Sequence, residues 1–331
     1  MLVAAASAVS PTAARSGSRI GAADAVTGPT LSASRTSLLV DGGPAFLLGV
    51  SVFGALDVAA PVDSDLDALK RWGVRLVRVW AHWHVPIYQA DGELSPTGGA
   101  RLRQLVEHVG ARGMILELVL LRPGQLRGQP YAIFASEAAR IRAVESITRA
   151  VQPYRHVLFD LYNEHDHPDG PISHAALRVL RDRVKAIDSS RLVTVSSTEG
   201  HLIDGSRANT TNLGQEAGTD ATAVAVDVIS PHFPRSDDWA AATGSRVAAI
   251  RSALDALGRP LPVYLNEERR ADDRRPVRAD AYRQAYTAAR QAGAAGWVFH
   301  TDAGFELERR SFADSLRPQE REALSQLERQ R

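Results

Sequence analysis

The chain has 331 residues, of which 44% are hydrophobic and 23% charged, and this composition excludes a disordered chain, a collagen and a coiled coil. Its 39 Lys and Arg against 38 Asp and Glu leave a net charge of +1, so no general attraction to nucleic acid or anionic membranes is expected. Cysteine is absent, which excludes disulfide scaffolds, thiolate zinc sites and cysteine nucleophiles. Because α/β barrels of about 250 residues form one domain, the length permits one large barrel or two ordinary domains.

Residues 1–36 are rich in Ala, Ser, Thr and Gly, which is typical of a disordered N-terminal tail. Within it, residues 2–9 and the sequence Ala6-Ser7-Ala8 resemble the end of an export signal with its cleavage site. The tail is therefore a disordered N-terminus or the remnant of an export signal. No other stretch approaches the ~18 apolar residues that span a bilayer. We expect a secreted or periplasmic protein without a membrane span, with a cytoplasmic location as the alternative.

From residue 37 to residue 331, short continuous apolar runs alternate with amphipathic helical segments, as parallel strands covered on both faces require. The predicted strands are Phe46–Val52, Val74–Trp80, Met114–Leu120, Val157–Tyr162, Leu192–Ser196, Val226–Ser230, Pro262–Asn266 and Ala295–His300. Eight such βα units predict a single (β/α)8 TIM barrel. A doubly wound sheet is the rival, but the turn from Gly49 to Gly54 lacks the G-x-G-x-x-G spacing of nucleotide-binding folds.

Two predicted strands end in the dipeptide Asn-Glu. VLFDLY is followed by Asn163 and Glu164, and PVYL by Asn266 and Glu267. The C-terminal ends of barrel strands form the active-site face, and the fourth and seventh strands are expected to face each other across it. Two facing carboxyl groups are the minimal equipment for glycoside hydrolysis, since one protonates the leaving oxygen and the other attacks the anomeric carbon. Either Glu alone could be a loop charge, but the two together favour a catalytic pair.

Over about residues 38–305 the chain resembles the retaining glycoside hydrolases of clan A, most closely the family 5 cellulase and mannanase group. DLYNEHD is similar to the acid/base motif of that family, which implies Glu164 as general acid/base. PVYLNE is similar to its nucleophile strand, which implies Glu267 as nucleophile. Glu268 is the minor alternative, because adjacent strand residues point to opposite faces. The resemblance implies hydrolysis with retention, no cofactor, and an oligosaccharide or polysaccharide substrate.

Further motifs are similar to those of the family. GVRLVRVW implies Arg78 beside the nucleophile, where a fixed cation lowers the pKa of the carboxyl group, with an ordinary surface ion pair as the alternative. Asn163 is implied to bind the sugar 2-hydroxyl, and DVISPHF implies His232 in the site, where a structural histidine is the alternative. Two positions depart from the family. Pro234 stands where a Tyr is usual, and His300, which we expect to bind substrate, stands where a sugar-platform Trp is usual.

Three other features are less specific. Trp83 follows the second strand and is expected to form the wall of a sugar subsite, because aromatic rings pack on sugar faces; packing at the barrel rim is the alternative. His165, Asp166 and His167 follow the predicted acid, but they lack the i, i+4 spacing of helical metal ligands, so no metal is predicted. The Arg-rich segment 267–278 predicts a salt-bridged loop, with an Arg-lined subsite for an acidic sugar as the alternative.

These patterns together predict a monomeric, cofactor-independent enzyme that hydrolyses β-glycosidic bonds with retention. A carbohydrate-binding barrel without catalysis is the first rival, because of Pro234 and His300. A metal-dependent hydrolase built on His165, Asp166 and His167 is the second. Sensitivity to chelators separates the metal-dependent enzyme from the other two, and sugar binding without turnover identifies the binding protein.

Overall fold

The structure is a computed structural model that describes residues 28–58, 62–123, 125–126, 129–130, 134–271 and 276–328. Its strands are β1 (Leu31–Ser34), β2 (Ser37–Val40), β3 (Gly43–Ala45), β4 (Leu47–Ser51), β5 (Leu76–Trp80), β6 (Ile115–Val119), β7 (Gln125–Leu126), β8 (Gln129–Pro130), β9 (Val157–Asp160), β10 (Val193–Thr194), β11 (Ser196–Ser197), β12 (Leu202–Ile203), β13 (Arg207–Ala208), β14 (Ser230–Pro231), β15 (Tyr264–Leu265) and β16 (Gly296–Phe299). Its helices are α1 (Asp63–Arg71), α2 (Pro96–Ala111), α3 (Glu137–Val151), α4 (His174–Ile187), α5 (Thr210–Ala217), α6 (Trp239–Ala256), α7 (Ala279–Gln291), α8 (Phe312–Ser315) and α9 (Pro318–Glu328). No helix in these ranges has the length and apolar character needed to cross a bilayer.

Parallel strands close into a barrel. Seven of them pair in the order β10-β9-β6-β5-β4-β16-β15. The ring is completed by β11, which pairs in parallel with β14, and by a parallel bridge from Ile229 to Val263. Helices α1 to α7 lie between successive barrel strands along the chain, which is the (β/α)8 order. The predicted fold is confirmed. Seven of the eight predicted strands contain an observed strand, and the sixth, Val226–Ser230, overlaps β14 at Ser230.

The N-terminal end of the barrel is covered by the antiparallel sheet β1-β2-β3. Leu31 and Leu38 are buried there in one cluster with residues near the beginning of barrel strands, such as Leu47 and Leu76. The boundary predicted after residue 36 is therefore too late, because the apolar side chain of Leu31 and four backbone pairings fix β1 against β2. The rest of the predicted tail, residues 1–27, lies outside the described residues.

The barrel interior changes from apolar to polar along the strands. Side chains alternate on a strand, so every second residue faces inward. Near the beginning of the strands the inward residues are Leu47, Leu76, Ile115, Leu158, Leu192 and Val228. Toward the C-terminal ends, the buried polar residues are Ser51, Arg78, Glu117, Asp160, Thr194, Ser230, Asn266 and His300. Buried polar groups are costly unless they are hydrogen-bonded, and this layer supports the candidate site.

Candidate active site

Arg78 is fully buried at the centre of the polar layer. Its Nη1 donates to Oε2 of Glu267 at 2.9 Å, and its Nη2 donates to Oδ2 of Asp160 at 2.8 Å and to Oδ1 of Asn163 at 2.7 Å. Its Nε donates to Oε1 of Glu117 at 3.1 Å. One rigid guanidinium thus joins β5, β6, the end of β9 and the end of β15, and it fixes Glu267 and Asn163 relative to each other.

Glu117 and Asp160, which the sequence analysis did not single out, complete this network. Burial raises the pKa of Glu117, which accepts hydrogen bonds from the Tyr264 hydroxyl at 2.7 Å and from the Asn266 amide at 2.8 Å. Asp160 also accepts from the Ser196 hydroxyl at 2.9 Å. A signal was present in the sequence, because each is a lone acidic residue within an otherwise apolar strand, ILELV and VLFD.

Glu267 lies between two arginines. Its Oε2 accepts from Arg78, and its Oε1 accepts from Nη2 of Arg235 at 2.7 Å. Burial opposes ionisation, but the positive charges around Glu267, including the guanidiniums of Arg235 and Arg78, hold its pKa well below its usual range. Glu267 is therefore a carboxylate at neutral pH, the form that a nucleophile requires.

His300 lies behind Glu267 and is not among the residues that line the cleft. Its Nε2 is 3.1 Å from Nη1 of Arg270, and its Nδ1 is 3.1 Å from Oγ of Ser51. A guanidinium only donates, so the hydrogen-bond partners assign the proton to Nδ1 and leave Nε2 as the acceptor. Burial holds the pKa of His300 well below its usual range, which agrees with a neutral imidazole. The permanent positive charge that stabilises the Glu267 carboxylate therefore comes from the two arginines.

Glu164 follows β9 and contacts His232. Its Oε1 is 3.3 Å from Nδ1 of His232, whose Nε2 is 3.2 Å from Oδ1 of Asn266. The Asn266 amide nitrogen donates to Glu117, so its oxygen is the acceptor for the Nε2 proton of His232. His232 therefore bridges Glu164 and Asn266. Glu164 has a left-handed backbone, with φ 54°, and its N–H donates to Oγ of Ser196 at 3.2 Å.

The two predicted catalytic residues are close together. One oxygen of Glu164, one oxygen of Glu267 and one nitrogen of His232 all lie within 4.8 Å of one another. The strand geometry that brings Glu267 here is irregular, because both Asn266 and Glu267 face the barrel interior after β15 ends at Leu265. Strict alternation from Asn266 would have turned Glu267 outward.

A cleft of about 210 Å³ opens above these residues. Trp83 forms part of its wall and packs against the rings of Phe53 at 4.5 Å and Phe305 at 4.6 Å between ring centres. Phe53 in turn stacks on Trp80 at 3.8 Å. Trp80, Phe53 and Phe305 were not predicted as site residues. Trp80 is the last residue of β5, whereas Phe53 and Phe305 lie in the connections after β4 and β16, and their proximity was not readable from the sequence.

Arg235 takes the place at Glu267 where the family resemblance led us to expect a tyrosine. The residue two positions after His232 is Pro234, whose carbonyl accepts a hydrogen bond from Arg246 at 3.1 Å. Arg235, one position further, makes the contact to Glu267 instead. The sequence analysis missed Arg235, because residues after a strand end have no fixed side-chain direction.

A second His and Glu cluster lies directly behind Glu164. Oε1 of Glu216 is 3.0 Å from Nε2 of His165, and its Oε2 is 2.6 Å from Nε2 of His201. Burial raises the pKa of Glu216, but the imidazoles of His201 and His165 lower it to about 2. This hydrogen-bonded chain anchors the residue that follows Glu164, and His174 packs against it with its ring centre 4.9 Å from that of His165.

Two groups in the described part of the chain have ligand atoms close enough to share a cation. These are Glu164, His232 and Glu267, and His165, His174 and Glu216. In the first group, both oxygens of Glu267 already accept from guanidiniums, whose charge opposes a bound cation. In the second, both oxygens of Glu216 already have imidazole partners. We assign neither group as a metal site.

The alternative metal trio does not converge. His165 is directed to Glu216, and Asp166 accepts from the backbone N–H of Thr198 at 2.7 Å. His167 accepts from the backbone N–H of Asp169 at 3.1 Å. The three side chains have separate partners, so the metal-dependent hydrolase built on them is not supported by their geometry.

Glu268 lies on the opposite side of the strand end from Glu267. It accepts a hydrogen bond from Nε1 of Trp297, and its Oε1 is 3.0 Å from Oγ1 of Thr243 on α6. Oγ1 of Thr243 is also 3.0 Å from the backbone carbonyl oxygen of Trp239. Burial raises the pKa of Glu268 to about 7.

Substitution of Glu268 by Gln is expected to stabilise the protein at pH 8. Because the folded-state pKa is raised, the proton on Glu268 favours folding below the ordinary pKa, and this contribution is lost as pH rises toward 7. The loss in the free energy of unfolding amounts to about 3 kcal/mol. Urea unfolding should show a higher free energy of unfolding for Glu268→Gln than for the wild type at pH 8, and a much smaller difference at pH 5. The variant should retain most activity. Equal changes at both pH values would contradict a protonated Glu268.

Replacement of Arg78 is expected to shift the acidic limb of the pH–rate profile upward. Without the guanidinium the pKa of Glu267 rises, so the carboxylate is lost at a higher pH. The shift should be larger for Arg78→Ala than for Arg78→Lys, which keeps one positive charge. Since removing one partner of a buried ion pair costs about 3–5 kcal/mol, folding is checked by circular dichroism, and Arg78→Lys is the variant to use if Arg78→Ala does not fold. An acidic limb at the same pH as in the wild type, in an active Arg78 variant, would show that Arg78 does not lower the pKa of Glu267.

Comparison with known proteins shows similarity of fold. No protein-family model and no curated protein match the sequence. A solved exo-β-1,4-mannosidase from Opitutaceae bacterium strain TAV5 matches with a TM-score of 0.63 and 16% identity, over 86% of this chain and 59% of that one. A β-1,4-D-mannanase from Cryptopygus antarcticus matches with a TM-score of 0.64 and 13% identity, over 91% of this chain and 94% of that one. A β-glucanase from Saccharophagus degradans matches with a TM-score of 0.62 and 13% identity, over 91% of this chain and 93% of that one. This chain therefore has the barrel fold of these proteins, and it spans about three fifths of the mannosidase.

Proposed function

We propose that the protein is a glycoside hydrolase that cleaves β-glycosidic bonds with retention of configuration. The observation that carries the proposal is the pairing of an ionised Glu267 with a second carboxyl group, Glu164, whose Oε1 is 3.3 Å from Nδ1 of His232. Their nearest oxygens lie within 4.8 Å. Retaining enzymes hold their carboxyl groups about 5–5.5 Å apart and inverting enzymes about 6.5–9.5 Å apart, because an inverting enzyme needs room for water between them. The short separation therefore favours retention.

In the first step, Glu267 attacks the anomeric carbon and forms a covalent glycosyl-enzyme. The bond to the leaving oxygen breaks at the same time, and Glu164 gives that oxygen its proton. Arg78 holds the attacking carboxylate in its ionised form, and Asn163, oriented by the same guanidinium, presents its amide toward the cleft, where the resemblance implies the 2-hydroxyl.

In the second step, the ionised Glu164 takes a proton from water, and the water oxygen attacks the anomeric carbon. The bond to Glu267 breaks, and two inversions leave the product with the β configuration of the substrate. His232, which bridges Glu164 and Asn266, can accept or return the proton of Glu164 between the steps.

The test is a screen of aryl β-glycosides and of mannan, β-glucan and xylan, followed by proton NMR of the first product. The solved structures of similar fold carry the names of mannan- and glucan-cleaving enzymes, so these polymers come first. We expect turnover that a chelator leaves unchanged, with the β anomer formed first. Turnover lost with a chelator would favour a metal-dependent hydrolase, and the α anomer formed first would contradict retention.

A carbohydrate-binding barrel is the second candidate, and one observation favours it. Both oxygens of Glu267 already accept from a guanidinium, Oε1 from Arg235 at 2.7 Å and Oε2 from Arg78 at 2.9 Å, so a sugar must displace or share one of these contacts. Calorimetry that detects oligosaccharide binding in the absence of any turnover would support this candidate. A secreted or periplasmic location and a monomeric state remain part of the proposal.

A further inference from the structure

Arg270 presents a charge to the cleft without a carboxylate partner among the described residues. It lines the cleft beside Glu267. Its Nη1 donates to the neutral Nε2 of His300 at 3.1 Å, and its guanidinium carbon lies 5.3 Å from the ring centre of Phe305. The preceding Arg269, by contrast, pairs with Asp237 at 3.4 Å on the outside of the barrel rim. Because a guanidinium stays charged at every accessible pH, Arg270 supplies a fixed positive charge to the cleft.

The contacts of Arg270 leave it oriented for a ligand. His300 and Phe305 bind one edge and one face of the guanidinium, and neither of them neutralises it. Arg235 brings a second guanidinium to the same side of Glu267, and its side chain is 37% exposed. Arg122 is a third arginine in the cleft wall, over the ring of Trp83. The region around Glu267 is therefore rich in cations.

A neutral sugar offers such a guanidinium only hydroxyl acceptors. A carboxylate offers two coplanar oxygens, which match the guanidinium fork and form charge-assisted bonds about twice as strong as neutral ones. The two departures from the resembled family fall here as well, since Arg235 takes the tyrosine contact and His300 orients Arg270 where a platform Trp is usual.

We propose that the cleft takes a sugar with an anionic group, a hexuronide in the first instance, and that Arg270 binds that group beside Glu267. This inference rests on the proposed function for the reaction, while the binding of an anionic sugar is measurable without it. A phosphate on the sugar would offer related chemistry, so the experiment distinguishes the two anions.

The kinetic test compares three aryl β-glycosides with one leaving group: a glucuronide, a 6-phosphoglucoside and a glucoside. For the wild type, we expect kcat/KM for an anionic substrate to exceed that for the glucoside at least ~10-fold. Arg270→Gln should reduce this ratio about 10- to 100-fold, the size of a lost hydrogen bond between charged groups, and Arg270→Lys should restore part of it. Arg149→Gln, on the exposed face of α3, is the matched control and should leave the ratio unchanged.

Calorimetry with free glucuronate, glucose 6-phosphate and glucose keeps the inference testable if no substrate is hydrolysed. Tighter binding of glucuronate supports the carboxylate site, and tighter binding of the phosphate sugar supports an anion site for phosphate. Glucose binding as tightly as both, or Arg270→Gln weakening all three equally, overturns the inference. Hydrolysis of the neutral glycoside alone, dependent on Glu267, also overturns it but leaves the hydrolase standing. A failure of the proposed function is seen instead as no turnover of any glycoside.

Discussion

Replacement of Glu267 by Ala is expected to abolish turnover of every substrate, whatever its leaving group. In the proposed mechanism Glu267 supplies the electron pair that forms the glycosyl-enzyme, and no other carboxylate among the described residues contacts both Arg78 and Arg235. The loss should be at least ~10²–10⁴-fold, the range for a positioned catalytic group. Azide can enter the space left by the carboxylate and attack the anomeric carbon directly. With an activated aryl β-glycoside it should therefore give the α-glycosyl azide, by a single inversion.

Glu268→Ala is the matched control for this experiment. The two glutamates are adjacent, but Glu268 faces Thr243 and Trp297 on the outside of the strand end. It should keep most activity, and both variants are first shown to be folded by circular dichroism. A dead Glu268→Ala beside an active Glu267→Ala would mean that the wrong glutamate has been assigned as the nucleophile.

Replacement of Glu164 by Ala is expected to have an effect that depends on the leaving group. In the proposed mechanism, substrates with poor leaving groups need the proton from Glu164, so their turnover should fall ~10²–10⁴-fold. Activated aryl glycosides need little protonation, so their first step is partly spared and the glycosyl-enzyme accumulates without a base to activate water. Azide, which needs no base, should restore turnover and give the β-glycosyl azide through two inversions. Steady-state rates with aryl β-glycosides that release a series of phenols measure the leaving-group dependence, and NMR identifies the anomer of the azide product.

Ser190→Ala is a suitable control for the Glu164 variant, since Ser190 lies in the α4–β10 connection and, among the described residues, its hydroxyl bonds only to Asp188 and Arg155. It should show the rates and the leaving-group dependence of the wild type. Equal losses for good and poor leaving groups in Glu164→Ala would show that Glu164 is not the proton donor, and an α azide product would contradict its place opposite the nucleophile.

The barrel was predictable because its strands are buried on both faces. Each strand therefore reads as a continuous apolar run, such as LLGVS in β4 or LVRVW in β5, and periodic helices separate the runs. The N-terminal sheet was missed because its strands are short, with Ala and Ser beside Leu31, and their stability comes from contacts with distant barrel residues.

The candidate site was predictable only in part. Glu164 and Glu267 follow strands, and the fold directs all strand ends to one face. Arg235 and Arg270 were not predicted individually, since they lie in connections where side-chain direction depends on local geometry. Glu267 illustrates the limit of periodicity, because it faces inward only through the irregular step after Leu265.

The central claim is that Glu267 carries the sugar as a covalent intermediate, and trapping that intermediate tests it most directly. An activated 2-deoxy-2-fluoro-β-glycoside of a sugar that the protein hydrolyses should be used, because the fluorine slows both steps while the good leaving group preserves the first. Mass spectrometry of the intact protein should show the addition of one fluoroglycosyl unit, and fragmentation of the labelled peptide should place it on Glu267 rather than on Glu268. Time-dependent inactivation with the label on Glu164, or full turnover with no labelled protein and an α product, would contradict the account.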